Sequence, residues 1–379
     1  MLYSLCVDNK PEYQGHIKGL DGIRGIAIIL VMVFHFFVEW PYWTHGNFWI
    51  NILGFSFRLC DVGVQTFFVL SGYLISGILL DQRSSNGYFF NFISRRTLRI
   101  FPLYYSYLLI MLVFFPMLIG EDYTKLFRNF SNGDMFWFFS YSSNVLFFIN
   151  GHYDYPLFLV VTWSLAVEEQ FYLFWPFVIK YFSLKNLFTV VYLLITFSLF
   201  CRGYFALTTV DKGSGWTFLV ICNFDMLCMG TFIALLLRES NFRKKLWNRI
   251  TICGLIALPF FVVISFVFKH GIMREVFARF CWGLFSMSLV TLVINNRVKW
   301  YVGIVSSTVL TLFGKYSYGL YLMHTIVFAF IVPWNDSQGI FDIVLLFSVY
   351  ILVSILLSMI VYQVIEKPFL KLKRFFSYS

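Results

Sequence analysis

Ten long apolar runs, separated by short polar segments, constrain the fold of this chain more than any other feature of its sequence. A membrane's hydrocarbon core of about 30 Å needs roughly 17–25 apolar residues per helix, and each run is close to that length. Only 13% of the 379 residues are charged and 59% are hydrophobic, whereas soluble domains carry about 25% charged residues. The composition excludes a soluble enzyme, a disordered chain and a nucleic-acid-binding protein, and it predicts an all-α polytopic membrane protein. The runs lie near residues 23–40, 62–80, 99–119, 157–180, 186–202, 217–237, 250–268, 278–294, 312–333 and 340–364.

The basic residues predict how this bundle is oriented. If about ten helices span the membrane and both termini are cytoplasmic, most of the 29 Lys and Arg residues lie on the cytoplasmic side, as the positive-inside rule requires. A shorter apolar run at 135–149 is interrupted by polar residues, and counting it as a span would move most basic residues outside. We therefore expect one membrane domain, residues 1–379. It has a cytoplasmic N-terminal segment (1–22), an extracytoplasmic loop (120–156) and a cytoplasmic tail (365–379).

Ionisable side chains lie inside several of the predicted spans, where their energetic cost makes each a candidate functional residue. Arg24 and His35 are 11 residues apart in the first span. At ~1.5 Å and ~100° per residue they share one helix face, with His35 ~16 Å deeper. Glu168 and Glu169 lie at mid-depth in the fourth span and point ~100° apart, so only one can face a given partner. His324 lies at mid-depth in the ninth span, so three helices can bring these groups to one buried site.

Three arginines, Arg95, Arg96 and Arg99, open the third span. Guanidinium groups pair bidentately with phosphates, and these three lie at the same depth as Arg24, so a phosphate-binding cluster is one interpretation. Ordinary positive-inside anchors are the other interpretation.

Other candidate residues lie near the buried ionisable groups. Tyr321 precedes His324 by three residues and faces the same way on a helix. Asp225 lies in the outer half of the sixth span, on the outer approach to the site. Ser71 precedes a glycine, and tight helix packing is at least as good an explanation for this pair as substrate contact. With Trp163, Ser71 and Asp225 are the candidate substrate-binding residues.

Six motifs occur in order along nearly the whole chain. They are D-G-I-R-G followed by His35, F-F-V-L-S-G-Y, R-R-T-L-R-I-F-P-L-Y, T-W-S-L-A-V-E-E-Q-F-Y-L, S-Y-G-L-Y-L-M-H, and E-K-P-F at 366–369. In these motifs the chain resembles the membrane-bound acyltransferase 3 family of bacterial integral-membrane O-acyltransferases. It departs from the family pattern at Gln65, where Asp is frequent, and at Tyr73, where Phe is common.

The resemblance implies an activity, substrates and a location. The enzyme would move an acyl group, most often acetyl, from cytoplasmic acetyl-CoA to a sugar hydroxyl of lipopolysaccharide O-antigen or another envelope glycan. The acceptor would be a lipid-linked or surface glycan, and no metal is expected. The protein would be a multi-pass protein of the bacterial inner membrane, in contact with its lipids.

The resemblance also implies residue roles. Arg24 and the three arginines of the third span would hold the phosphates of the donor, and His35 would act as general base. Glu168 or Glu169 would orient His35 or contact the acceptor, while His324 and Tyr321 would polarise the thioester oxygen. Direct transfer and an acyl-enzyme intermediate both remain open. The alternative function is a secondary transporter of a small organic anion, because mid-membrane His and Glu also serve in proton relays.

Overall fold

In its described residues the chain folds into helices joined by short turns and irregular segments. The computed structural model describes residues 17–38, 56–115, 117, 130–131, 133–151, 155–209, 215–239, 243–268, 271–296, 298–331 and 340–377. Within these ranges there is no strand. The α-helices are α1 (Lys18–Val38), α2 (Gly63–Asp81), α3 (Tyr88–Leu109), α4 (Asp134–Phe139), α5 (Ser143–Asn150), α6 (Leu157–Val160), α7 (Thr162–Tyr181), α8 (Leu184–Thr208), α9 (Phe224–Leu236), α10 (Arg243–Val267), α11 (Arg279–Asn295), α12 (Lys299–Val305), α13 (Thr308–Lys315), α14 (Ser317–Ile331), α15 (Ile340–Val361) and α16 (Lys367–Lys371).

The predicted polytopic membrane fold is confirmed. Among the described residues, eight helices are long and apolar enough to cross a membrane, and the shorter apolar helices α9 and α14 match the sixth and ninth predicted runs. The run at 135–149 forms α4 and α5, of six and eight residues, and each is too short to span a bilayer. Most of the predicted N-terminal segment (1–16) and parts of the predicted loop at 120–156 lie outside the described residues.

Glycines of the D-G-I-R-G motif bring α1 into backbone contact with α12 and α13. A Cβ atom at Gly22 would lie 1.6 Å from the Val305 carbonyl oxygen, and one at Gly25 would lie 2.1 Å from that of Leu310. Only glycine fits at such distances, so the helix axes can approach closely. This contact fixes the position of α1 and therefore the depth of Arg24.

The helices α2 and α9 pack in the same way. A Cβ atom at Gly72 would lie 1.9 Å from the Leu227 carbonyl oxygen, and one at Gly230 would lie 1.9 Å from that of Val69. Because Gly72 faces α9, the adjacent Ser71 points elsewhere, toward α7. In the Ser-Gly pair, Gly72 therefore allows close helix packing and Ser71 makes a polar contact.

Basic side chains join several helix termini at one end of the bundle, which we call the basic end. Arg83, after α2, donates hydrogen bonds to the carbonyl oxygens of Lys180 (2.9 Å) and Phe182 (2.6 Å) at the end of α7. Arg238, after α9, pairs with Asp81 at 2.6 Å. The termini of α2, α7 and α9 thus lie together, as the alternation of ten spans requires.

Candidate active site

A cavity opens among α1, α2, α3, α7 and α14. It encloses about 780 Å³ not occupied by protein atoms, including open solvent at its mouth. Arg24, Arg96 and Arg99 line it, and we call it the arginine cavity. Arg24 and Arg96 lie in the first halves of α1 and α3, toward the basic end, whereas Val64 and Ser164 line the cavity near the opposite ends of α2 and α7.

The arginines of the cavity are held by neighbouring side chains. The Arg96 guanidinium lies over the Tyr172 ring, 5.8 Å from its centroid, within the range of a cation–π contact. Arg24 Nη1 lies 3.5 Å from Asp21 Oδ1, one helical turn earlier. Both contacts hold the cationic groups at the cavity wall.

Arg95 does not line the cavity. Its Nη1 donates to the main-chain carbonyls of Lys373 (3.2 Å) and Phe376 (3.0 Å). The structure therefore brings together three of the four arginines that the sequence analysis grouped, and it directs the fourth to the C-terminal part of the chain.

The two adjacent glutamates of α7 face different surroundings. Glu168 lines the arginine cavity, where its carboxylate accepts hydrogen bonds from Ser71 Oγ (2.6 Å) and from the Tyr172 hydroxyl (2.9 Å). Arg24 and Arg96 are the cations that act on this carboxylate. Glu169 does not line the cavity, and its buried Oε1 has no hydrogen-bond partner in the described part of the chain. Of the pair, Glu168 is the residue that a ligand of the cavity would meet.

His35 and His324 contact each other through their rings. His324 Nε2 lies 3.0 Å from His35 Nδ1, and His324 Nδ1 lies 2.8 Å from the Leu320 carbonyl oxygen. A carbonyl oxygen only accepts, so the proton of a neutral His324 is on Nδ1 and its Nε2 is an acceptor. His35 Nδ1–H then donates to His324, which leaves the lone pair on His35 Nε2. This is the protonation state of a general base.

The histidine pair lies outside the cavity lining, next to Tyr321. Neither histidine lines the cavity, and the Tyr321 ring, which does, has its centroid 6.0 Å from that of His324. The Tyr321 hydroxyl lies 2.6 Å from Ser164 Oγ and 3.0 Å from the Val161 carbonyl oxygen. The predicted site thus has two parts, an arginine part and a histidine part, with Tyr321 between them.

Two of the predicted substrate-binding residues do not line the cavity. Asp225 is fully buried, and it pairs with Arg202 at 2.5 Å and accepts a hydrogen bond from Ser198 at 3.1 Å. The Trp163 ring packs against Phe218, with their centroids 4.9 Å apart. Neither residue lines the arginine cavity, so a contact with substrate stays a prediction for both.

Comparison with known proteins identifies the family. A family model described as an acyltransferase domain matches residues 17–363. The chain belongs to this acyltransferase family. The chain is 27% identical over 376 residues to O-acetyltransferase OatA of Staphylococcus aureus strain NCTC 8325, and the match covers 95% of this chain and 58% of the relative. OatA of Staphylococcus aureus strain COL has the same identity and coverage. The chain therefore spans less than two thirds of the length of these relatives, and no solved structure is significantly similar to it.

Some residues of the cavity were not singled out from the sequence. Ser164 and Tyr172 lie four residues before and after the predicted Glu168 on α7, and all three line the cavity. This spacing places side chains on one face of a helix, so the pattern could have shown which glutamate faces the site. Tyr318, three residues before Tyr321, also lines the cavity and follows the same rule.

Proposed function

We propose that this acyltransferase is an O-acetyltransferase that moves an acetyl group from cytoplasmic acetyl-CoA to a hydroxyl of a cell-surface carbohydrate. The acceptor would be a lipid-linked or surface glycan, of which lipopolysaccharide O-antigen is one example, and the enzyme would act in the bacterial inner membrane. The observation that carries the proposal is the hydrogen-bonded chain from Leu320 through His324 to His35, which leaves one basic nitrogen beyond an arginine-lined cavity. The name of OatA supports the same reaction class.

The arginine cavity suits a donor that carries phosphates at one end and a thioester at the end of a flexible arm. Arg24, Arg96 and Arg99 line the cavity, and guanidinium groups bind phosphates bidentately. Glu168 lies further inside, where its oxygens can accept hydrogen bonds from the amide N–H groups of such an arm. His35 is ~16 Å deeper than Arg24 along α1, so a donor held at the arginines must extend its thioester inward to react.

His35 would act as general base in this reaction. Its Nε2 accepts the proton of the acceptor hydroxyl while the hydroxyl oxygen bonds to the thioester carbon. The carbon–sulfur bond then breaks, and the proton passes from His35 to the departing sulfur, which leaves as a free thiol. His324 accepts the hydrogen bond from His35 Nδ1, so it holds the reactive tautomer in place and stabilises the imidazolium.

Tyr321 is the better of the two predicted donors to the thioester oxygen. Both nitrogens of His324 are engaged, one with Leu320 and one with His35, so His324 has no proton to offer that oxygen. Ser164 Oγ lies 3.3 Å from the Val161 carbonyl oxygen that Tyr321 also contacts. Ser164 can therefore donate its hydroxyl proton to this carbonyl oxygen, so that Tyr321 can donate its own proton to the developing oxyanion.

Replacement of His35 tests the proposal directly. We expect purified wild-type protein to transfer labelled acetyl from acetyl-CoA to glycans of the host membrane. His35→Gln, which keeps a polar side chain of similar length, should lower transfer by a factor of roughly 10²–10⁴, the usual contribution of a general base. Donor binding and thermal stability should stay near those of the wild type, because the arginine cavity does not include His35.

Two results would contradict the proposal. Transfer by His35→Gln at more than a tenth of the wild-type rate would remove His35 from the chemistry. Wild-type protein that neither transfers nor hydrolyses acetyl-CoA, but carries an organic anion across vesicles, would support a transporter instead.

A further inference from the structure

The C-terminal segment (residues 366–377) is hydrogen-bonded to the first half of α3. Arg95 Nη1 donates to the carbonyl oxygens of Lys373 and Phe376, and Asn91 Nδ2 donates to that of Ser377 at 3.1 Å. These bonds involve the main chain of the segment, so its path does not depend on the side chain of Lys373. The Lys373 side chain makes none of these bonds, so a substitution of it leaves the backbone contacts in place.

Lys373 lies in a group of like charges beside the arginine cavity. Arg95, Arg96 and Arg99 act on it electrostatically, and Glu366 is the carboxylate that opposes them. Because Arg99 follows Arg95 by one helical turn, the same face of α3 leads from the C-terminal segment to the cavity wall. Lys373 and the three arginines thus place four positive charges near one carboxylate, that of Glu366. Because the positive charges repel each other, a bound anion would be stabilised there.

Glu366 contributes to this group from a closely packed position. Its side chain is 6% exposed, and its Oε1 has no hydrogen-bond partner among the described residues. A Cβ atom at Gly319 would lie 3.3 Å from that oxygen, so the glycine of the S-Y-G-L-Y motif leaves room for the carboxylate. The E-K-P-F and S-Y-G-L-Y motifs therefore meet beside the basic cluster.

We infer that Lys373 binds a phosphate on the ribose of the donor nucleotide, a contact distinct from that of the diphosphate with the cavity arginines. This inference rests on the proposed function, in which the donor is an acyl-CoA. With its arm directed inward past Arg24, Arg96 and Arg99, such a donor keeps its nucleoside outside the cavity. Lys373 is a cation outside the cavity lining that interacts electrostatically with Arg96 and Arg99. A lysine ammonium is a compact point charge that binds a phosphate without a fixed fork geometry.

A comparison of two donors tests this inference. Acetyl-CoA carries a 3′-phosphate on its ribose, and 3′-dephospho-acetyl-CoA lacks only that group. We expect Lys373→Gln to raise the KM for acetyl-CoA about tenfold, as the loss of one charged contact of about 1.4 kcal/mol would do. The kcat, and the KM for the dephospho donor, should change less than twofold.

Two further variants separate the phosphate contact from other effects. Lys371→Gln removes the same charge from an exposed position on α16 and should leave the KM values for both donors unchanged. Lys373→Arg keeps the positive charge. Because a point-charge contact with a phosphate does not need a fixed geometry, the KM for acetyl-CoA should stay within about threefold of wild type.

The possible outcomes are distinct. Equal changes in KM for both donors would overturn the inference, because they would show a general electrostatic effect, and so would an unchanged KM for acetyl-CoA. Failure of the wild-type protein to use either donor would instead overturn the proposed function on which the inference rests.

Discussion

Neighbouring contacts distinguish the roles of single residues in the candidate site. Glu168 and Glu169 are identical in type and adjacent in sequence, yet only Glu168 lines the arginine cavity, because Ser71 and Tyr172 hold it there. His324 was expected to act on the thioester, and its contacts favour a different role. It is fully buried, and its two nitrogens contact Leu320 and His35. We therefore treat His324 as a positioning residue.

Substitution of His324 tests this positioning role. His324→Gln places an amide oxygen near the position of Nε2, so it can still accept the hydrogen bond from His35, whereas His324→Leu cannot. We expect the leucine variant to lower kcat about 10- to 100-fold and the glutamine variant to retain most of it, because a hydrogen bond to a charged group contributes about 1.5–3 kcal/mol. The KM for acetyl-CoA should change in neither variant. Equal activity of the two variants would show that His324 serves packing alone.

At the scale of helices, glycine contacts determine where the functional side chains lie. The D-G-I-R-G motif supplies Arg24, which lines the cavity. Its glycines Gly22 and Gly25 lie against the backbones of α12 and α13, which explains why glycine occupies these positions of the motif. Arg24 can reach the cavity wall only if α1 approaches these helices closely.

Two glycine substitutions distinguish close packing from helix propensity. A Cβ atom at Gly22 would lie 1.6 Å from a carbonyl oxygen, whereas one at Gly303 on α12 would have nothing within 4 Å. We expect Gly22→Ala to displace α1, lower the melting temperature and reduce transfer by more than tenfold. Gly303→Ala should leave activity unchanged and stabilise the protein by up to about 1 kcal/mol, because alanine is the better helix former. Thermal unfolding and acetyl transfer measure both effects. Similar behaviour of the two variants would rule out the packing argument.

The sequence predicts the helices better than it predicts their contacts. Each of the ten predicted runs has a helix in the described structure, because lipid imposes the same length and apolarity on every span. The third run was predicted from residue 99, whereas α3 begins at Tyr88. Hydropathy does not count the charged residues Arg95 and Arg96 as part of an apolar run. The carbonyl oxygens that Arg95 contacts belong to the C-terminal segment, which is distant in sequence, so a local pattern does not reveal this contact. The Arg202–Asp225 pair is likewise a contact between two helices, which the spacing of one helix cannot reveal.

At the scale of the whole molecule, the separation of the arginine and histidine parts suggests that the two substrates approach from opposite sides. Arg24 and Arg96 of the cavity lie toward the basic end, which the positive-inside rule assigns to the cytoplasm. His35 is ~16 Å deeper than Arg24 by helix rise, about halfway through a hydrocarbon core of about 30 Å. A charged nucleotide cannot cross the membrane, so transfer to an external glycan requires the thioester to reach His35 from the cytoplasmic side.

Sealed inside-out vesicles test this arrangement. In them the cytoplasmic face is exposed to the medium, and the glycan acceptor is confined to the lumen. We expect labelled acetyl-CoA added outside to yield acetylated glycan inside, at a rate that permeabilisation does not raise. Right-side-out vesicles should form product only after permeabilisation, because the donor then cannot reach the arginine cavity. Vesicles carrying His35→Gln control for labelling that does not depend on the enzyme. Product that forms only when donor and acceptor share the cytoplasmic side would contradict transfer through the membrane and leave the acyltransferase family assignment intact.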